Sequence, residues 1–186
     1  MTRIIAGAAR GRRLLTPAGS RTRPTSDRVR EAMFSALESE LGAFAGLRVL
    51  DLYAGTGALG LEALSRGAAH VLLVEADARA ARTIRSNVST VGLPGAEVVQ
   101  SSVVRALTAV PPAPYDLVLA DPPYVTRGEE IELVLAQLTG GWLAPQAIVV
   151  VERSTRDAPL GWPAGMVGQR TRRYGETMLW YGRPAG

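Results

Sequence analysis

From residue 47 onward the chain alternates short apolar runs with stretches whose apolar residues recur every three or four positions. The runs, at 47–52, 70–75, 96–100, 115–120 and 146–152, are of strand length, and Leu117-Val118-Leu119-Ala120 and Ile148-Val149-Val150-Val151 are apolar throughout. Strands without polar alternation are covered on both faces, as in a parallel sheet. The stretches between them read as helices; Ala81, Ile84, Val88 and Val91, for instance, fall on one helical side. The pattern predicts an α/β fold built on a doubly wound, mostly parallel sheet. Residues 166–182 read instead as two strands joined through Gly175-Glu176, an antiparallel hairpin on the sheet edge.

The opening of the chain is different. Short apolar runs at 3–6 and 12–15 flank Gly7-Ala8-Ala9-Arg10-Gly11, which predicts a small β-hairpin with an arginine-rich tip. A loop over 16–24 follows. Thr25 or Ser26 then stands where an N-cap belongs, ahead of a helix that puts Val29, Met33, Leu37 and Leu41 on one face and ends at Gly42. The expected organisation is a basic hairpin and linker over 1–24 and a single domain over 25–186.

Composition narrows this picture. With 186 residues and 47% apolar positions, one sizeable core is expected. No run of eighteen apolar residues and no signal-peptide pattern appears, so the expectation is a soluble, cytoplasmic protein with no membrane span. The absence of cysteine excludes disulfides, thiolate metal sites and a cysteine nucleophile. The single histidine, His70, opens a strand without a second ligand nearby and reads as structural; no metal is expected. All 21 basic residues are arginines, and residues 1–30 hold eight of them against one acid, Asp27. That segment carries +7 in a chain of net +4, so the remainder is mildly acidic. A basic segment on an acidic body suggests a nucleic-acid contact, since arginine binds phosphate bidentately and stacks on bases. Arg10, Arg12, Arg13, Arg21 and Arg23 are the candidates.

Candidate chemistry concentrates in two places. In Val49-Leu50-Asp51-Leu52-Tyr53-Ala54-Gly55-Thr56-Gly57-Ala58-Leu59-Gly60 an apolar strand meets a glycine turn and then a helix. Gly55 and Gly57 leave no Cβ between backbone and ligand, and Gly60 lets the helix pack closely. G-x-G-x-x-G spacing is shared with dinucleotide binders. Glu75, fifteen positions after Gly60 at the end of the next apolar run, suits the ribose hydroxyls of either ligand class. Asp51 discriminates between them. A pyrophosphate binder keeps negative charge away from this strand, whereas a carboxylate suits S-adenosylmethionine, which carries a sulfonium and an ammonium and no phosphate.

The second place is Asp121-Pro122-Pro123-Tyr124, at the end of the fourth strand of the alternating region. Strands one and four of a doubly wound sheet are neighbours where strand order reverses, so this tetrapeptide is expected to face the glycine turn. The prolines stiffen the backbone, the Asp121 carboxylate and the Pro122 carbonyl can accept the two hydrogens of an exocyclic amine, and Tyr124 offers a stacking face. Two acceptors so placed draw the nitrogen towards sp³ and concentrate its lone pair on the methyl donor.

The opening Arg3-Ile4-Ile5-Ala6-Gly7, then Arg10-Gly11-Arg12, Pro17, Thr22-Arg23-Pro24-Thr25, Asp27-Arg28-Val29-Arg30-Glu31-Ala32 and Phe34 resemble the bacterial small-subunit (16S) ribosomal RNA guanine-N2 methyltransferases, within the class I S-adenosylmethionine-dependent enzymes. The similarity runs on through Asp51–Gly57 and Asp121–Tyr124 to Tyr174-Gly175, nearly the whole chain. The resemblance implies a Rossmann-like, seven-stranded sheet with an N-terminal hairpin extension. It also implies methyl transfer to a guanine N2 amine of 16S rRNA, within the small subunit or an assembly intermediate, by a monomer that releases S-adenosylhomocysteine. Asp121, Pro122, Pro123 and Tyr124 then hold the target, with Asp121 also reaching the cofactor. Asp51, Tyr53, Ala54, Gly55, Thr56 and Gly57 line the methionine end, Glu75 and Ala76 meet the ribose, and Ser102 and Val103 approach the adenine. Ser102 departs from the Asp or Asn common there. An adenine-N6 DNA methyltransferase, a glutamine-N5 protein methyltransferase and a non-catalytic RNA-binding protein remain open alternatives.

Overall fold

Seven of the nine strands form one sheet in the computed structural model, which describes residues 2–17 and 26–186. In chain order the elements are β1 (Thr2–Arg3), β2 (Arg13–Leu14), α1 (Asp27–Leu41), β3 (Arg48–Leu52), α2 (Ala58–Ser65), β4 (His70–Glu75), α3 (Ala78–Val91), β5 (Ala96–Gln100), α4 (Val103–Ala106), β6 (Tyr115–Ala120), α5 (Gly128–Leu138), β7 (Leu143–Ser154), β8 (Met166–Tyr174) and β9 (Thr177–Pro184). The sheet order is β5-β4-β3-β6-β7-β9-β8, parallel from β5 through β7 and closed by the antiparallel β9 and β8. The chain first winds from β3 to β4 and β5, then crosses back to β6 on the other side of β3. Strand order therefore reverses between β3 and β6, whose pairing sets Asp51 opposite Leu119 and Leu52 opposite Ala120.

Alternate residues of each buried strand enter different cores. Val49, Leu73, Leu117, Leu119, Ile148 and Val150 pack with Phe34, Leu61 and Ile84 of α1, α2 and α3. Leu50, Leu52, Val74, Val118, Val149 and Val151 pack with Ile131, Val134 and Leu135 of α5. Two covered faces explain the absence of polar alternation. β7 is longer than the apolar run 146–152 indicates, because its ends continue pairing beyond the buried stretch.

Ser26 caps α1, accepting from the Val29 amide at 3.2 Å, and Gly42 ends the helix at φ 84°. Thr25, the other candidate cap, lies outside the described residues, as does the 24/25 boundary. The amino-terminal hairpin has a shorter ladder than the runs 3–6 and 12–15 suggest: Thr2 pairs with Leu14 and Arg3 with Arg13. Ile5 and Ala6 turn away to donate their amides to Glu62 on α2, at 2.8 and 3.0 Å. Ile4, Ala9 and Leu14 join the core beside α1 and α2. At Gly7 a Cβ would meet the Ser65 carbonyl, so the close approach of the hairpin to α2 requires glycine. His70 sits at the amino end of β4, its Nε2 3.3 Å from the Tyr115 hydroxyl, at the opposite end of the strand from Glu75.

Candidate active site

A cavity of about 870 Å³ opens outside the carboxyl ends of β3, β4 and β6, where strand order reverses. Its wall is built by local necessity. After β3 the chain must turn sharply into α2. Tyr53 (φ 57°), Gly55 (φ 58°) and Gly57 (φ 80°) all take left-handed backbone, and Tyr53 does so at a cost that side chains normally avoid. A Cβ on Gly55 would come no closer than 4.0 Å to its nearest neighbour, the Tyr53 carbonyl oxygen, so its glycine serves the backbone conformation rather than packing. Gly60 serves packing: a Cβ there would fall 2.8 Å from Val71 Cγ1 and 3.0 Å from Asp51 Oδ2.

Asp51 lines the cavity but is only 1% exposed, and its Oδ2 accepts from the Gly60 amide at 2.8 Å. Burial pushes its carboxyl up from 3.8 to about 8; the Gly60 hydrogen bond opposes that, and the nearby Glu75 charge adds to it. A cation placed beside this carboxyl would favour its ionised form. Glu75 ties two turns together, Oε2 accepting from Gly55 N at 2.7 Å and Oε1 from Asp77 N at 2.9 Å. A carboxylate has about four acceptor directions, so lone pairs remain for ligand hydroxyls. Burial first, then the Glu130 carboxylate, push the Tyr53 phenol up to about 12.

Of the residues singled out in the sequence, Asp51, Tyr53, Ala54, Gly55, Thr56, Glu75, Ala76, Ser102, Val103, Asp121, Pro122, Pro123 and Tyr124 all border this one cavity. Gly57 does not. It starts α2, and a Cβ there would lie 3.2 Å from both Ile84 and Leu73. Ser102 caps the short α4, accepting from the Arg105 amide at 3.3 Å, which accounts for a hydroxyl at that position. Tyr124 is 64% exposed at the mouth. Behind it, Arg153 donates to the Thr126 carbonyl at 3.1 Å and pairs with Asp157 at 3.1 Å, pinning the loop that carries Asp121–Tyr124.

The arginines separate into different roles. Arg10 and Arg13 are exposed on the hairpin. Arg12 turns back, donating to the Thr90 and Val91 carbonyls at the end of α3 at 2.5 and 2.9 Å, a helix C-terminal cap. Arg21 and Arg23 lie outside the described residues. Arg30, which sequence reading left unassigned, borders the cavity and is 1% exposed; it bonds the Arg3 carbonyl and Asp27 and faces Glu62 at 3.9 Å. Burial pulls its guanidinium below the usual value, with Glu62 and Asp27 opposing. Glu130, Arg79 and Arg82 also line the cavity. No motif marks them, because each lies on a helix whose rotation sequence spacing does not fix.

A second, narrow cleft lies on the far side of Asp121 and Tyr124, bordered by Glu152, Ser154 and Thr177. Glu152 follows the apolar run of β7 as Asp121 follows that of β6, and that parallel was the one signal in the sequence that could have found it.

A doubly wound sheet with a glycine turn at the first strand and D-P-P-Y at the fourth, both on one cavity, defines the Rossmann-like architecture of the class I methyltransferases. The particular family follows from comparison. Residues 2–183 match the family described as "Conserved hypothetical protein 95", and the chain belongs to it. It is 38% identical over 164 residues to "Ribosomal RNA small subunit methyltransferase D" of Escherichia coli (strain K12), covering 86% of this chain and 80% of that protein. To the protein of the same name in Haemophilus influenzae it is 36% identical over 162 residues, covering 85% and 81%. The solved structure described as "Putative methyltransferase yhhF from Escherichia coli" superposes with a TM-score of 0.85 at 36% identity, covering 98% of this chain and 97% of that one.

Proposed function

We propose that this protein transfers a methyl group from S-adenosylmethionine to the exocyclic N2 amine of a guanine in 16S ribosomal RNA of the small subunit. One observation carries the reading: a single cavity has a buried Asp51 with Glu75 on one side and Asp121-Pro122-Pro123-Tyr124 on the other. The names of the relatives supply the RNA.

The residues present fit the cofactor. Gly55 leaves the turn bare of a side chain, a cation beside Asp51 would draw out its proton, and Glu75 offers acceptors to a ribose. When bound, S-adenosylmethionine supplies a methyl group on a sulfonium. The protein's part is positional. Tyr124, at the mouth, stacks on a base taken out of its helix. The Asp121 carboxylate and the Pro122 carbonyl accept the two amine hydrogens, which frees the nitrogen lone pair for the methyl carbon. The nitrogen gains the methyl as the bond from that carbon to sulfur breaks, leaving neutral S-adenosylhomocysteine, and one proton passes to the Asp121 carboxylate or to water at the mouth beside Tyr124. Arg10 and Arg13 hold phosphates while Arg12 braces their hairpin against α3.

The test is to offer labelled cofactor with naked small-subunit RNA, intact small subunits and DNA in parallel, and to identify the product nucleoside by mass spectrometry. N2-methylguanosine in the small-subunit samples is expected. N6-methyladenosine, or label on DNA, overturns the assignment.

A further inference from the structure

The register of the sheet sets a second carboxylate beside Asp121. Ala120 of β6 pairs with Val151 of β7, so Asp121 and Glu152 each follow the last paired residue of that ladder at the carboxyl edge of the sheet. They share a face: Leu119 and Val150, two positions back along each strand, belong to the core beside α1, as does Leu179, the β9 partner of Glu152. Asp121, Tyr124 and Glu152 border the same narrow cleft. Arg153 and Asp157 border the cleft as well, paired with each other at 3.1 Å, and Arg153 also donates to the Thr126 carbonyl.

Guanine's Watson–Crick edge carries two neighbouring donor groups, the N2 amine and N1–H, whereas adenine carries a bare acceptor at N1. A flipped base is read along that edge. Acceptors that take only the amine hydrogens do not tell one purine from another; an additional acceptor beside them does. We propose that Glu152 is the specificity residue of this site, its carboxylate accepting guanine N1–H while Asp121 and the Pro122 carbonyl hold the N2 amine. This rests on the reading of the cavity as a guanine-N2 methylation site. Adenine would bring its N1 lone pair against a carboxylate, a repulsive contact, so the site excludes it by charge as well as by lost bonding.

The experiment compares two substrates prepared as small-subunit RNA in its active form. One carries guanine at the methylated position, located by mass spectrometry with the unmodified protein. The other carries 2-aminopurine, which keeps the amine at carbon 2 but has a bare ring nitrogen in place of N1–H. The unsubstituted protein should favour guanine in kcat/KM. Glu152→Gln, whose amide can donate to a bare nitrogen, should lose roughly ten- to hundredfold on guanine, as expected for a lost charge-assisted hydrogen bond, and gain on 2-aminopurine. Glu152→Asp, which keeps the acceptor on a shorter arm, should lower rates on both while keeping the preference. A readout independent of transfer is the fluorescence of 2-aminopurine itself: without cofactor, Glu152→Gln should bind that RNA more tightly than the unsubstituted protein does. Equal guanine preference in the unsubstituted protein and Glu152→Gln overturns the proposal, as does unchanged 2-aminopurine affinity. Absence of N2-methylguanosine with the unsubstituted protein instead overturns the reading of the site on which the proposal stands.

Discussion

Asp51 and Asp121 are both carboxylates at strand ends on one cavity, and their surroundings separate their roles. Asp51 is sealed in and raised to about 8; Asp121 stands nearer the mouth beside an exposed Tyr124. A carboxyl whose folded value exceeds its unfolded 3.8 takes up a proton on folding, so between about 4 and about 8 the cofactor-free protein loses stability as pH rises, levelling off above about 8. Asp51→Asn should flatten that slope, measured as urea midpoints across pH. A cation bound next to Asp51 favours its ionised form, so cofactor binding at pH 7 should release about one proton. Calorimetry in two buffers of different ionisation heat reads this directly, and identical heats would remove Asp51 from cofactor recognition. Asp121→Ala should leave cofactor affinity within about twofold, since Asp51 and Glu75 remain, yet reduce transfer by about a hundredfold or more, the scale of a lost transition-state contact. Of these two residues the sequence disclosed type and strand position; the Gly60 amide behind Asp51 came only with the fold.

At the level of elements, α2 is the hub. Its outer side carries Glu62, fully buried, which accepts the Ile5 and Ala6 amides and the Arg66 guanidinium at 3.0 Å and faces Arg30. Four groups from the hairpin, α1 and α2 thus converge on one carboxylate. Glu62→Ala would leave the buried Arg30 without that countercharge, and a loss of about 3–5 kcal/mol is expected by chemical denaturation. The inner side of α2 rests on β3 and β4 through Gly60. Gly60→Ala drives a methyl into Val71, Leu73 and Asp51 and should cost about 1–3 kcal/mol, with weakened cofactor binding because the glycine turn moves with the helix. The limits of α1 were readable from Ser26 and Gly42, since caps are local chemistry. The true ends of β7 were not, because pairing with β6 and β9 continues where apolar character stops.

For the molecule as a whole, charge is distributed so that the basic hairpin is fastened to the body that holds the cavity. Ser65, Asn87 and Glu62 all bond its backbone, Asn87 doing so at both the amide and the carbonyl of Leu15 while also holding the Thr56 carbonyl of the glycine turn. On the proposed function, RNA held by the hairpin would thereby be referenced to the glycine turn. Replacing Arg10 and Arg13 with alanine should weaken binding to small-subunit RNA and flatten its salt dependence, by roughly 0.9 per lost contact on duplex or about 0.7 on single strands. Arg12→Ala should instead lower thermal stability with little change in that slope, because its donors serve α3. Filter binding across salt concentrations, paired with melting curves, separates the two.

The sequence by itself determined the order of strands and helices, the two-sided burial of the sheet, the glycine turn and D-P-P-Y, because each is written in periodicity or in contiguous residues. That both stretches border one cavity followed from the rule that a doubly wound sheet reverses beside its first strand. Only the tertiary structure decided the partners: Asp51 with Gly60, Arg12 with the end of α3, Arg30 with Glu62, Glu152 on one cleft with Asp121. Such pairings join positions far apart in the chain through helix rotation and strand register. Those depend on how every core side chain fits its neighbours, which spacing along a single sequence does not encode.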